Sequence, residues 1–226
     1  MNSTRLSTVI FDVDGTLLDS NDAHASVYVE ALAKFGHVVL FDQVRPLIGK
    51  GGDKVLPDLI SVEKDSPEGK RIGDYRSELF KTKYVPNLQP FDGVRELLQR
   101  IRRDGLRLVV ATSAAEDEAD ALLERTGAAD LFEKRTTSSD ASQSKPDPDI
   151  VQAALQRTGV RADEAIMVGD TPYDIEAAGT AGVRTIAFRC GGWRDADLRG
   201  AVAIYDGPAD LLNRYDDSPL ATARRA

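Results

Sequence analysis

The sequence predicts an α/β protein: a parallel sheet covered by helices on both faces, with an all-helical insertion after the first strand. Three observations predict it. Short apolar runs stand at Val9–Phe11, Leu106–Ala111, Ala165–Val168 and Arg184–Phe188. After Pro90 these runs alternate with segments of helical periodicity, the pattern of a parallel sheet with crossover helices. Between Asp22 and Tyr84 no clear strand is found, only helical spacing. The 226 residues suffice for one domain of ordinary size plus an insertion.

The first run, Val9-Ile10-Phe11, is β-branched and aromatic and leads into Asp12-Val13-Asp14-Gly15-Thr16. It reads as a buried strand running into a turn. Strand alternation sets Asp12 and Asp14 on one side and Val13 on the other. Two neighbouring carboxylates repel, and a fold keeps such a pair mainly around a cation. Three readings stand at this point: an acidic turn, a calcium loop, or a metal-assisted carboxylate nucleophile with a proton shuttle two residues on. The calcium loop fails on spacing, because its sixth position would be Leu17 rather than Gly and its twelfth Ala23 rather than Glu.

In the insertion, helices are expected at Asp22–Phe35, Asp42–Ile48, Lys54–Ser61 and Arg71–Tyr84. A flexible basic loop, Gly49 to Lys54, separates the second and third. That loop lacks the closing Gly-Lys-Ser/Thr of a P-loop and the third glycine of a dinucleotide loop. It is either a solvated connection or a specificity loop with Lys50 or Lys54 reaching a substrate anion. Beyond Pro90, Gly93–Arg103 carries Val94, Leu97, Leu98 and Ile101 on one helical face. Further helices are expected at Glu116–Thr126, from Asp147-Pro148 through Arg157 with aspartate as N-cap, from Thr171-Pro172, and at Ala209–Arg214. Weaker strands are expected at Lys134–Thr137 and Ala201–Tyr205, and the tail from Tyr215 reads as polar and loose.

The net charge is −8, from 29 basic and 37 acidic residues. It argues against a nucleic-acid or membrane-surface partner, which needs a basic face. The single cysteine, Cys190, leaves no intrachain disulfide and suits a reducing, cytoplasmic location. The N-terminal stretch is too short in apolar residues for a signal peptide, and no run is long enough to span a membrane.

A parallel sheet presents ligand sites at the carboxyl ends of its strands. Four segments would meet there: Asp12 and Asp14; Thr112-Ser113; Lys145 in Ser-Lys-Pro-Asp-Pro; and Gly169-Asp170-Thr171-Pro172-Tyr173-Asp174. Metal carboxylates, a hydroxyl and a fixed cation are what phosphoryl transfer to a carboxylate requires. Taken singly, Lys145 has the reading of a solvated loop lysine. Thr112 or Ser113 has that of a helix cap, and Asp174 that of the closing residue of a capping box.

Together the four segments resemble the haloacid dehalogenase superfamily. Asp12-Val13-Asp14-Gly15-Thr16 is similar to its first motif, Thr112 to its second, Lys145-Pro146 to its third, and Gly169-Asp170 with Asp174 to its fourth. The resemblance implies a Rossmann-like core over residues 1–16 and 88–226 and a helical cap over 17–87. It implies Asp12 as nucleophile and metal ligand, and Asp14 as acid/base with its carbonyl a metal ligand. Asp170 would complete the ligands of a Mg²⁺ ion, Asp174 would stand at or behind the metal, and Thr112, Ser113 and Lys145 would meet phosphate. His24 has two readings: a partly exposed helix histidine, or, by resemblance to the β-phosphoglucomutase branch, a hydrogen bond to Asp14 on cap closure. The expected activity is a phosphatase of a small phosphorylated metabolite, similar to phosphoglycolate phosphatase, in a monomer or homodimer. Thr112-Ser113-Ala114 departs from the Thr-Asn-Lys usual in those enzymes. The alternatives are a sugar phosphomutase and a non-catalytic binding protein on the same fold.

Overall fold

The strands are β1 (Thr8–Phe11), β2 (Arg107–Ala111), β3 (Lys134–Thr136), β4 (Ala165–Gly169), β5 (Arg184–Phe188) and β6 (Ala203–Tyr205). In the computed structural model, which describes residues 5–221, they form one wholly parallel sheet in the order β3-β2-β1-β4-β5-β6. The chain runs outward from β1 to β3, then returns to β4 and runs outward the other way. The order therefore reverses beside β1, the point where open α/β sheets open a crevice for ligands. β1 is buried on both faces, which explains its unbroken apolar run.

The helices are α1 (Asn21–Lys34), α2 (Phe41–Val44), α3 (Gly52–Ile60), α4 (Pro67–Leu79), α5 (Val94–Arg103), α6 (Glu116–Arg125), α7 (Asp149–Thr158), α8 (Pro172–Thr180) and α9 (Pro208–Asn213). Strand alternation divides the core. Val9 and Phe11 face Leu97, Leu98 and Ile101 of α5 and Leu211 of α9. Ile10 faces the other way, toward Ile150 and Val151 of α7 and Ala177 of α8. Helices α1 to α4 lie between β1 and β2 and bury an apolar centre of their own around Tyr28, Leu32, Val55 and Ile72.

Four local expectations are corrected. The helix expected at 42–48 ends at Val44 and continues as a 3₁₀ turn, Arg45–Leu47, in which Pro46 supplies no N–H. The helix expected from Arg71 begins at Pro67, where the Ser66 hydroxyl accepts the Gly69 N–H at 3.0 Å, and turns π-helical over Phe80–Tyr84. α7 begins at Asp149 rather than Pro148. Asp147 does not cap it, because its N–H donates to the Ser144 carbonyl at 3.1 Å and its carboxylate pairs with Lys54 at 2.9 Å. The tail is packed as far as Ala221: Tyr215, Leu220 and Ala221 are buried in the sheet's core, and Ser218 is buried as well. Intervening polar residues hid these anchors from hydropathy. Residues 222–226 of the expected loose tail lie outside the described residues. No helix among the described residues is long and apolar enough to cross a membrane.

Candidate active site

β1 delivers Asp12 to the crevice. The Asp12 N–H extends the ladder by one bond, donating to the Val168 carbonyl at 2.9 Å. The chain then turns sharply at Gly15, whose φ of +73° favours glycine. A Cβ there would collide with the side chains of Asn21 and Asp170. β4 delivers Asp170, β2 delivers Thr112, and the loop after β3 returns Lys145.

Lys145 is 1% exposed, so its reading as a solvated loop lysine is set aside. Its Nζ lies 2.5 Å from Asp12 Oδ1 and 2.7 Å from Asp174 Oδ1. Asp174 closes the capping box considered for it and also pairs with Lys145. Its Oδ2 accepts from the N–H of Thr171 at 3.0 Å and from the Thr171 hydroxyl at 2.7 Å, closing the capping box of α8. Its other oxygen holds the lysine.

Carboxylate oxygens of Asp12, Asp170 and Asp174 all lie within 4.8 Å of one another, and all three residues are buried. Asp170 accepts from the Thr16 hydroxyl at 3.0 Å and from Asn21 Nδ2 at 2.8 Å. Burial, then the neighbouring Asp174 and Asp12 charges, push the Asp170 carboxyl well above its usual range. Burial is also the main cause for Asp12, with the Asp174 and Asp14 charges adding to it. Lys145 opposes them, and the result is about 7. Three crowded, buried carboxylates suit a divalent cation. The all-oxygen donor set suits a hard one.

The Asp14 carboxylate turns away from this cluster. Its Oδ1 lies 2.8 Å from His24 Nε2 and 2.5 Å from the Ser20 hydroxyl. Burial works against its ionised form. The His24 interaction, the Ser20 hydrogen bond and nearby Arg76 outweigh burial and hold its carboxyl below the usual range. His24 is buried rather than partly exposed, and stacks on Phe80 with ring centroids 4.1 Å apart. On its far side Nδ1 meets an Nη of Arg76. Arg76 is a donor only, so this contact leaves the proton on Nε2, facing Asp14.

Thr112 is buried, and its hydroxyl oxygen accepts the Ala114 N–H at 3.1 Å, which leaves its own proton to donate. Ala115 is the N-cap of α6, so neither Thr112 nor Ser113 caps it. The Ser113 hydroxyl is buried without a partner among the described residues. A cavity of about 510 Å³ opens onto Asp12, Asp14, Thr112, Ser113, His24 and Lys50. Lys50 also pairs with Asp58 at 2.8 Å. Lys54 does not line the cavity; it binds Asp147 and Gln143, at 2.9 and 2.7 Å.

Three further residues escaped sequence reasoning. Asn21, the first residue of α1, ties Asp170 to the Gly191 carbonyl, and nothing in its spacing marks it. Arg76 and Glu118 line the cavity as an ion pair at 2.8 Å. Their signal was a charge on an apolar stripe: Arg76 stands between Ile72 and Phe80 at four-residue steps, and Glu118 four residues before Leu122.

The model of the haloacid dehalogenase-like hydrolases matches residues 9–188, from β1 through β5. The chain belongs to this family. Among its relatives, the N-acetylmuramic acid 6-phosphate phosphatase of Pseudomonas aeruginosa is 29% identical over 96% of this chain and 97% of that protein. The phosphoglycolate phosphatase of Rhodospirillum rubrum is 32% identical over 90% of this chain and 88% of that protein. A hydrolase from Pseudomonas syringae superposes with a TM-score of 0.86 at 28% identity, covering 94% of this chain and 98% of that one. The six-stranded sheet and its helical insertion are thus the haloacid dehalogenase fold, and the protein is a phosphatase-type hydrolase of that family.

Proposed function

We propose that this protein is a Mg²⁺-dependent phosphatase of a small phosphorylated metabolite, acting through an aspartyl phosphate on Asp12. One observation carries the proposal. The Asp12 carboxylate, buried at the end of β1, has one oxygen held by Lys145 at 2.5 Å, and Lys145 is itself held by Asp174 at 2.7 Å. A carboxylate fixed in this way is oriented for attack at phosphorus.

Asp12 and Asp170 would hold the metal, together with the backbone carbonyl of Asp14. Asp174 stands behind them and positions Lys145. When bound, the ion supplies a positive charge that offsets the repulsion between Asp12 and a dianionic ester. Thr112 donates its free hydroxyl proton to a phosphoryl oxygen, and Ser113 offers a second hydroxyl. Asp12 attacks phosphorus and the ester oxygen leaves. The phosphoryl charge brought beside Asp14 raises its proton affinity, so that it carries the proton it gives to that oxygen. In the second step, Asp14, ionised again and oriented by His24 and Ser20, takes a proton from the water that cleaves the aspartyl phosphate.

The residues 17–87 act as a cap over this centre. Contacts at Arg76–Glu118, Lys81–Asp117 and Lys54–Asp147 support closure, which excludes bulk water from the cavity. The His24–Asp14 contact favours one second reading, return of the phosphoryl group to a sugar hydroxyl rather than to water. Phosphate release from a panel of phosphate monoesters, with Mg²⁺ and with chelator, tests both. Metal-dependent release supports the phosphatase. Isomerisation of β-glucose 1-phosphate with a bisphosphate primer, and no release, supports the mutase.

A further inference from the structure

The inner wall of the cavity carries a cation whose charge is already answered. The Arg76 guanidinium donates from Nη1 to both oxygens of Glu118, at 2.8 and 3.0 Å. Its carbon lies 5.0 Å from the Tyr28 ring centroid and 4.9 Å from that of Phe80. Arginine keeps its charge at any working pH and is the side chain best suited to grip a carboxylate. Left alone beside the substrate, it would be the seat for a second anion. Glu118, on α6, fills that seat. Of the cavity's lysines, Lys81 is engaged by Asp117 at 2.5 Å and Lys50 by Asp58 at 2.8 Å; Lys64 and Lys70 also line it, as do the carboxylates of Asp65, Asp74 and Glu78.

We propose that the Arg76–Glu118 pair sets the substrate class: a phosphate monoester with an uncharged, hydroxyl-bearing organic part, Glu118 rejecting esters that carry a carboxylate. This rests on the phosphatase reading above. A carboxylate entering the cavity would face Glu118 with Arg76 already neutralised, and like charges set together in a dry site are strongly disfavoured. A hydroxyl carries no such penalty. It can donate to Glu118, which lines the same cavity. The cavity is also large for a two-carbon acid phosphate. It measures about 510 Å³.

The test uses two esters that differ only in one group: glycerol 3-phosphate and 3-phosphoglycerate, which has a carboxylate where the first has a hydroxymethyl. Each is measured for turnover and as a competitive inhibitor of p-nitrophenyl phosphate hydrolysis. The wild-type protein is expected to favour glycerol 3-phosphate by about tenfold or more. Glu118→Gln keeps an acceptor for Arg76 and removes the charge, so the preference should fall by about tenfold or reverse, mainly through tighter 3-phosphoglycerate binding. Equal affinities in the wild type, or equal weakening of both esters in Glu118→Gln, would overturn the inference and leave the phosphatase reading standing. The wild-type ratio decides the matter even if the variant does not fold. Absence of metal-dependent release from the aryl phosphate and from both esters would overturn the phosphatase reading, and this inference with it.

Discussion

His24 Nε2 lies 2.8 Å from Asp14 Oδ1, so a residue of the first inserted helix touches a carboxylate placed by the first strand. The two are ten positions apart, and the turn at Gly15 brings them together. The position of the insertion is thereby coupled to the protonation of Asp14. His24→Ala should lower kcat by about 10- to 100-fold, the usual cost of losing a partner that orients a reacting group. The interaction holds the Asp14 carboxyl down, so its loss raises that pKa. The acid limb of the kcat–pH profile should therefore move to higher pH. A profile that does not move would count against Asp14 as the base.

Asp12→Asn should abolish phosphate release, with a loss on the order of 10⁴- to 10⁶-fold, as when a nucleophile is removed elsewhere. The fold should survive. Burial and two neighbouring carboxylates raise the Asp12 carboxyl, so its charge opposes folding in metal-free protein. In chelator at pH 8 the Asn variant should melt no lower than the parent. Near-normal turnover would end the covalent mechanism.

The same raised carboxyls give metal-free protein a pH-dependent stability. Asp12 has a pKa of about 7 in the folded chain against 3.8 as a free side chain, so the native state binds more protons between these values. Stability from this group is complete below about pH 4 and is lost as pH rises through about 7. Asp170 acts in the same direction. Melting in chelator should weaken across that window, and Mg²⁺ should raise the melting temperature more at pH 8 than at pH 5. Equal metal stabilisation at both pH values would exclude these carboxylates as the ligands.

Asn21 donates to Asp170 Oδ2 at 2.8 Å and to the Gly191 carbonyl at 3.1 Å, fixing the carboxylate's orientation. Asn21→Ala should weaken Mg²⁺ binding by about tenfold, the low end for loss of a supporting hydrogen bond. Calorimetric titration of the metal reads this without turnover. An unchanged affinity would confine Asn21 to holding the helix start.

Leu220 is fully buried in the cluster that includes Ile101 and Tyr215. Leu220→Ala should cost about 2–5 kcal/mol, the range for a buried leucine cut to alanine. Urea unfolding measures it. A loose tail, as the polar residues after Tyr215 suggested, would lose almost nothing.

Sequence alone determined the sheet and the strand-end residues. Apolar runs that must be buried on both faces can only be inner strands, and helical periods between them force parallel crossovers. Asp12, Thr112, Lys145 and Asp170 could be singled out because each follows such a run or stands at a proline-marked turn. Tertiary structure decided the rest. Arg76 and Glu118 are 42 residues apart and on different helices, and only the folding of the insertion against the sheet pairs them. The burial of Lys145 and His24, the double duty of Asp174 and the grip of Asn21 on Asp170 have the same origin. Local periodicity reports which face of an element is apolar. Which polar groups meet across that face depends on how distant elements pack, and the spacing of residues along the chain does not encode it.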